Sequence, residues 1–265
     1  MSDAMSDAEI RVCCATFYQS DLVRSLLGDV FHPGGLALTH HLGQMMGLSR
    51  GDRVLDVACG RGASAVHLAR EFGCHVTGLD YGPENVAAAQ THAANQGVSQ
   101  LTTFRQGQAE GLPFDETTFD AVISECSFCT FPDQATAAAE MARVLPSGGR
   151  LGLTDMTVSR PLTDEVQGLL AWVACVAGAG TLESYTAMLE TAGFTGFIVE
   201  DHREALLGMV EEGRRKLLGV ELVAGLGQLD LGGLDLDEGK RLARLALGLI
   251  EDGTVGYTLI TARKK

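Results

Sequence analysis

Between positions 53 and 155 the chain alternates two kinds of apolar pattern. Residues 53–57, 75–80, 101–106, 119–124 and 150–155 are short runs, each carrying two or more large apolar residues, with the length and flanks of strands. Between them, apolar residues recur at helical spacing. Segment 63–72 carries Val66, Leu68, Ala69 and Phe72; an alanine-rich stretch runs from Pro83 to about Gln96; a third helix opens at Pro132-Asp133 and reaches Val144. Pro83 suits a first helical turn, where a fixed φ and a missing N–H donor do no harm. Pro146-Ser147-Gly148-Gly149 marks a tight turn before the fifth strand. This alternation predicts parallel βαβ units with right-handed crossovers.

The flanks extend the pattern. Segments 16–27 and 36–48 read as helices separated by His32-Pro33-Gly34-Gly35. Segments 164–177 and 182–192 read as two more, the latter stopped by Gly193. Residues 194–200 form a sixth strand and 255–261 a last one. Between these strands, 203–252 holds two amphipathic helices around a Gly/Leu/Asp-rich loop at 225–237. An insertion of that kind often serves as a lid or a dimer surface.

Composition narrows the class. The 265 residues are 46% hydrophobic and 20% charged, an ordinary globular balance with length enough for one large α/β domain. A net charge of -14, with no lysine/arginine stripe, argues against nucleic acid and anionic membrane surfaces as partners. No stretch of about 18 apolar residues is present to span a bilayer, and no basic-then-apolar start resembles a signal peptide. A cytoplasmic location is the expectation, and with it reduced thiols. Met-Ser-Asp-Ala occurs twice, at 1–4 and 5–8, and residues 1–9 are expected to be a disordered start. The seven cysteines at 13, 14, 59, 74, 126, 129 and 175 therefore need a reason other than disulfides. For Cys59 and Cys74, packing as small hydrophobes suffices.

The first strand runs into Asp56-Val57-Ala58-Cys59-Gly60-Arg61-Gly62. Ala58-x-Gly60-x-Gly62 allows a ligand close to the backbone and aims a helix N-terminus at it. Asp80 ends the second strand, where a carboxylate can take both hydroxyls of a ribose. A dinucleotide fits poorly, because Asp56 in the first turn would repel a pyrophosphate but suits a sulfonium and an amino-acid ammonium. Region 53–155 resembles the class I S-adenosylmethionine-dependent methyltransferases. The likeness lies in the glycine turn, Asp80, Gln108-Ala109-Glu110, Phe119-Asp120-Ala121-Val122 and Leu145 to Gly149.

That resemblance implies a Rossmann-like, doubly wound, seven-stranded α/β fold in one domain over 10–265. An N-terminal helical cap would cover 10–50, the cofactor core 51–160, a substrate cap 161–193 and a helical insertion 203–252. It also implies that Asp56, Ala58, Gly60 and Gly62 cradle the methionine moiety. Asp80 and Tyr81 would sit at the ribose, Gln108 and Ala109 at the adenine edge, and Ser124 would complete the set. At the position of Gln108 the family more often has Asp.

The fourth strand ends in Ser124-Glu125-Cys126-Ser127-Phe128-Cys129-Thr130, which places Cys126 beside the transferable methyl group. A second cysteine, Cys175, lies in Trp172-Val173-Ala174-Cys175-Val176-Ala177-Gly178. Thiolates prefer soft centres. These segments, with Cys13-Cys14, resemble the arsenite methyltransferase branch, although the cysteine that branch carries before the first strand is missing here. The resemblance implies that Cys126, Cys175 and Cys14 hold trivalent arsenic for methylation, with a thiol reductant as partner and no general base required. The alternative is methyl transfer to an oxygen, nitrogen or carbon of a small organic metabolite, with the cysteines as packing. Cys126-x-x-Cys129 as a zinc pair lacks a second pair at suitable spacing. His32, His40 and His41 read as solvated or capping residues and Trp172 as packing; Glu125 reads first as a solvated strand-end carboxylate, with a general base for a hydroxyl or amine substrate as the alternative.

Overall fold

The computed structural model describes residues 32–160, 162, 176, 178–225 and 236–265. Seven strands form one sheet in the order β3-β2-β1-β4-β5-β7-β6. They are β1 (Arg53–Val57), β2 (His75–Asp80), β3 (Thr102–Gln106), β4 (Ala121–Glu125), β5 (Arg150–Val158), β6 (Phe194–Asp201) and β7 (Val255–Lys264). The described helices are α1 (Gly35–Met45), α2 (Ala63–Phe72), α3 (Pro83–Asn95), α4 (Gln134–Arg143), α5 (Leu182–Thr191), α6 (Arg203–Gly225) and α7 (Leu236–Glu251). Expected helices at 16–27 and 164–177, the start at 1–9 and most of the loop at 225–237 lie outside the described residues.

The first five strands pair in parallel, as the alternating pattern predicts. β7 departs from it and runs antiparallel between β5 and β6. The reason is where the chain re-enters. It leaves β6 and starts β7 at the same end of the sheet, where Asp201 pairs with Thr258. β5 and β7 also outrun their apolar runs, because they pair continuously from Arg150↔Arg263 to Val158↔Val255. Buried threonines are tolerated there through local hydrogen bonds, such as Thr157 Oγ1 to Thr258 Oγ1 at 3.1 Å.

Both faces of the sheet are covered, and strand alternation divides the core between them. Val54, Ala121 and Ile123 pack with Leu38 and Leu42 of α1, Val66 and Leu68 of α2 and Ala89 of α3. Leu55, Val57 and Val122 pack on the other face with Ala138 and Met141 of α4 and Tyr185 and Leu189 of α5. Central strands are apolar on both sides and hence read as unbroken runs. The edge strands are not: Phe104 is the buried residue of β3 and Phe194 that of β6.

Caps fix the helix starts. Pro83 opens α3, Asp133 accepts from the Thr136 N–H before α4, and Thr181 accepts from the Ser184 N–H before α5. α1 lies close over β5 because Gly152 has no side chain; a Cβ there would stand 2.8 Å from Leu42 Cδ1. That approach brings Thr39 to the end of β4, 2.9 Å from Glu125. No helix among the described residues is long and apolar enough to cross a membrane.

Candidate active site

A cleft opens beyond the carboxyl ends of β1, β2, β3 and β4, over the β1–α2 turn. Asp56, Ala58, Gly60, Asp80, Tyr81, Gln108, Ala109, Glu125, Cys126 and His32 all contribute to its lining. Its floor is the turn after β1, where Ala58, Gly60 and Gly62 have φ of 61°, 53° and 79°. The two glycines differ in role. A Cβ on Gly60 would meet nothing within 4 Å, so the cleft reaches the backbone there. A Cβ on Gly62 would stand 2.8 Å from Ala89 Cβ, so this glycine lets α2 pack against α3, and it does not line the cleft.

Asp80 braces that turn. Its carboxylate accepts the Gly60 N–H at 2.8 Å, the Gly82 N–H at 2.9 Å and the Asn85 side-chain amide at 3.0 Å. Three of a carboxylate's roughly four acceptor positions are thereby engaged. A ribose binding through both hydroxyls must share or release one of those N–H groups. Beside it, Tyr81 is 40% exposed at the rim and Ala109 is buried in the wall.

Two carboxyls stand out because each keeps a buried oxygen without a hydrogen-bond partner: Asp56 Oδ2 and Glu125 Oε1. Asp56 is 2% exposed. Burial pushes its pKa well up from the ordinary carboxylate range, and the charges of Glu125 and Asp80 push it further. The same burial, with Asp56 and Asp80 nearby, raises the Cys59 thiol and keeps it protonated.

Glu125 is the main departure from the sequence reading. Its side chain is 4% exposed, not solvated. Oε2 accepts the Thr39 hydroxyl at 2.9 Å, and His32 Nε2 lies 3.8 Å from the same oxygen. Thr39 Oγ1, whose hydrogen is engaged by Glu125, lies 3.3 Å from His32 Nε2 and has its lone pairs left to accept from it. Ser64 Oγ lies 3.4 Å from the same hydroxyl. His32 is buried too, against its reading as a solvated residue. His40, only partly buried, packs edge-on to His67 and over Phe72. A buried carboxylate with one unpartnered oxygen therefore stands at the end of the fourth strand, where the solvated one was expected.

The cysteines divide. Cys126 lines the cleft, with φ of 52° and its N–H donated to Thr154 O at 2.6 Å. Cys129 is 1% exposed in the core, its N–H held by Asp155 Oδ2 at 3.0 Å, so it faces away from the cleft lining. Cys14, Cys175 and Trp172 lie outside the described residues. Ser124 is fully buried and bonds Ser127 Oγ at 2.9 Å; Ser127, not Ser124, reaches the cleft. The signals that pointed to His32 and Thr39 were available. Pro33-Gly34-Gly35 fixes a turn immediately after His32, and Leu38 and Leu42 place residue 39 toward the buried side of α1.

A mostly parallel sheet with a glycine turn after its first strand, an acid ending its second and a cleft at the strand ends is the arrangement of a nucleoside-binding α/β fold. Residues 55–153 match the family model described as a methyltransferase domain. The methyltransferase GfsG of Streptomyces halstedii is 30% identical over 191 residues, which cover 66% of this chain and 69% of that protein. The 27-O-demethylrifamycin SV methyltransferase of Amycolatopsis mediterranei is 28% identical over 92% of this chain and 93% of its own length. An arsenite methyltransferase of Halobacterium salinarum is 33% identical over 56% of this chain and 38% of its own length. The solved phosphoethanolamine N-methyltransferase 2 of Haemonchus contortus shares the fold, with a TM-score of 0.81 at 20% identity; 99% of this chain is covered but only 60% of that one. This chain thus spans about three fifths of the length of that protein. The chain belongs to the methyltransferase family, whose cofactor is S-adenosylmethionine. The cleft fits it: an orphaned buried carboxylate oxygen on Asp56 suits an ammonium, and Gly60 leaves the approach open.

Proposed function

We propose that this chain methylates a hydroxyl group of a small organic molecule. The observation that carries this reading is the buried, partly unpartnered carboxylate of Glu125 at the end of β4, buttressed by Thr39 and His32. Asp56, the Gly60 backbone and Asp80 would hold S-adenosylmethionine, which supplies an electrophilic methyl group when bound. A hydroxyl seated against Cys126, Ser127 and Phe131 would present its proton to Glu125 Oε1. Thr39 and His32 fix the other oxygen, so the carboxylate meets the acceptor in one orientation. General-base assistance of this kind contributes about 10²- to 10⁴-fold, and positioning in the cleft contributes the rest. The name of the rifamycin relative, an O-methyltransferase aligned along nearly the whole chain, supports the choice of oxygen.

Cys126 favours a second reading, methylation of trivalent arsenic held by thiolates. The arsenite relative supports it over 150 residues, and Cys14 and Cys175 would complete the ligand set. One experiment separates the two. The protein is incubated with S-adenosylmethionine and either a panel of phenols and alcohols or arsenite with a thiol. Release of S-adenosylhomocysteine is followed together with methylated products by mass spectrometry. Turnover on a hydroxyl that collapses in Glu125→Gln supports the first reading. Methylated arsenic lost in Cys126→Ser but retained in Glu125→Gln overturns it in favour of the second.

A further inference from the structure

Outside the cleft, a second constellation lies where α1 meets the junction of β6 and α6. Nε2 of His41 and Nε2 of His202 both approach one oxygen of Glu200, Oε2, at 2.7 and 3.0 Å. The three prospective ligand atoms all lie within 4.8 Å of one another. None of these side chains lines the cleft, and they are 43%, 24% and 36% exposed for His41, His202 and Glu200. Their backbones are independently fixed. His41 rides on α1, Glu200 pairs with Leu259 of β7, and the His202 N–H is bound by Tyr257 O at 2.8 Å. The cation next along the chain, Arg203, is neutralised by Asp201 at 2.6 Å.

We propose that His41, Glu200 and His202 bind a divalent transition-metal ion of the zinc type, which staples α1 to the edge of the sheet. Two imidazoles and a carboxylate suit zinc and its neighbours, whereas calcium and magnesium demand all-oxygen surroundings. Zinc–ligand distances near 2.0–2.2 Å place neighbouring ligand atoms roughly 3.3 Å apart, so each imidazole nitrogen needs to draw back from the shared carboxylate oxygen by only a few tenths of an ångström. Partial exposure leaves the remaining coordination to water. Each imidazole binds through a deprotonated Nε2 with its proton on Nδ1, and any imidazolium proton leaves to solvent. The staple also bears on the cleft: Thr39, two residues before His41 on the same helix, is the donor to Glu125.

The test titrates zinc into the full chain, stripped beforehand with a chelator, and follows the histidine ring nitrogens by long-range proton–nitrogen spectra. That readout separates this site from zinc on cysteine. The expected result is that His41 and His202 shift together and saturate at one equivalent. Calorimetric affinity should weaken at least tenfold in Glu200→Gln and in His202→Asn, since even outer-shell partners of a metal are worth about 10- to 100-fold. Zinc should raise the melting temperature of the wild type and not of Glu200→Gln, the two proteins having matching circular dichroism in chelator. Unmoved His41 and His202 resonances at zinc saturation, or unchanged affinity in both variants, would overturn the proposal and leave a hydrogen-bonded clamp.

Discussion

Replacing Asp56 by Asn should stabilise the protein while weakening its hold on cofactor. The carboxyl accepts one backbone N–H from Ala65, its Oδ2 has no partner, and burial with the charges of Glu125 and Asp80 raises its pKa well above 3.8. With a raised carboxylate pKa, the folded state binds more protons than the unfolded chain in the window between the two values. Stability must then decline as pH rises through that window, by up to about 1.4 kcal/mol per unit. Asn keeps the shape and one acceptor but cannot ionise. Removing the cost of ionising a buried acid, about 1.4 kcal/mol per pH unit of that window, comes to about 1–3 kcal/mol at neutral pH. For a chain of this size that converts to a rise in Tm of roughly 2–10 °C at neutral pH, shrinking as pH falls toward 4. Cofactor affinity moves the other way, because an ammonium supplies the charge that Asp56 lacks. Losing that charge-assisted bond, about 1.5–3 kcal/mol, weakens Kd by roughly 10- to 150-fold. The assay pairs scanning calorimetry between pH 5 and 8 with calorimetric titration of S-adenosylhomocysteine, which keeps the ammonium and cannot turn over. A destabilised variant with unchanged affinity would refute the reasoning, since Asp56 would then be a structural acid with both oxygens satisfied by the protein.

Glu125→Gln should lower kcat on a hydroxyl acceptor by about 10²- to 10⁴-fold, with S-adenosylhomocysteine affinity changed little in titration calorimetry. Gly62→Ala combines a positive φ of 79° with a 2.8 Å clash at Ala89; urea unfolding should show a loss of about 2–5 kcal/mol. Gly60→Ala has φ 53° and open space around its Cβ; its loss should stay near 1–2 kcal/mol, and the larger effect should be on S-adenosylhomocysteine binding. Cys126→Ser should retain hydroxyl methylation within about tenfold, a change below about 1.4 kcal/mol, as measured by S-adenosylhomocysteine release. Abolished turnover on the hydroxyl acceptor, with cofactor still bound, would assign the thiol a chemical role.

The glycine-turn wall of the cleft was legible because its determinants are local. Asp56, Ala58, Gly60 and Asp80 sit at strand ends whose apolar runs are unbroken, and a strand buried on both faces announces itself in a short window. β7 was legible as a strand but not in its direction, which depends on where the chain re-enters the sheet after α6 and α7. Glu125 and His32 were misread for a related reason. Periodicity reports which face of its own element a residue occupies, not what arrives to cover it. Glu125 is buried by a helix whose Thr39 lies 86 residues earlier in the chain. The expectation of a solvated strand-end carboxylate fails once α1 settles over β5 at Gly152.

The two acceptor chemistries compete for adjacent positions, and the backbone explains why both remain in contention. Strict strand alternation would send Glu125 and Cys126 to opposite faces. Cys126 instead takes φ of 52°, left-handed for a residue with a side chain, and both residues line one cleft. Such a conformation costs about 1–3 kcal/mol and persists only where the surroundings enforce it, here through the Cys126 N–H bond to Thr154. What the kink achieves is a carboxylate and a thiol at the same wall. A hydroxyl acceptor needs the carboxylate, since its proton must go somewhere as the methyl arrives. Arsenic bound by thiolates has no proton to lose and gains nothing from Glu125. The thiol alone serves a metalloid poorly, because one soft ligand neither orients the lone pair nor excludes water. On the reading proposed above, Glu125, Thr39 and His32 would serve a hydroxyl acceptor; on the alternative, Cys126 would be the first of several thiolates, with Cys14 and Cys175 lying outside the described residues.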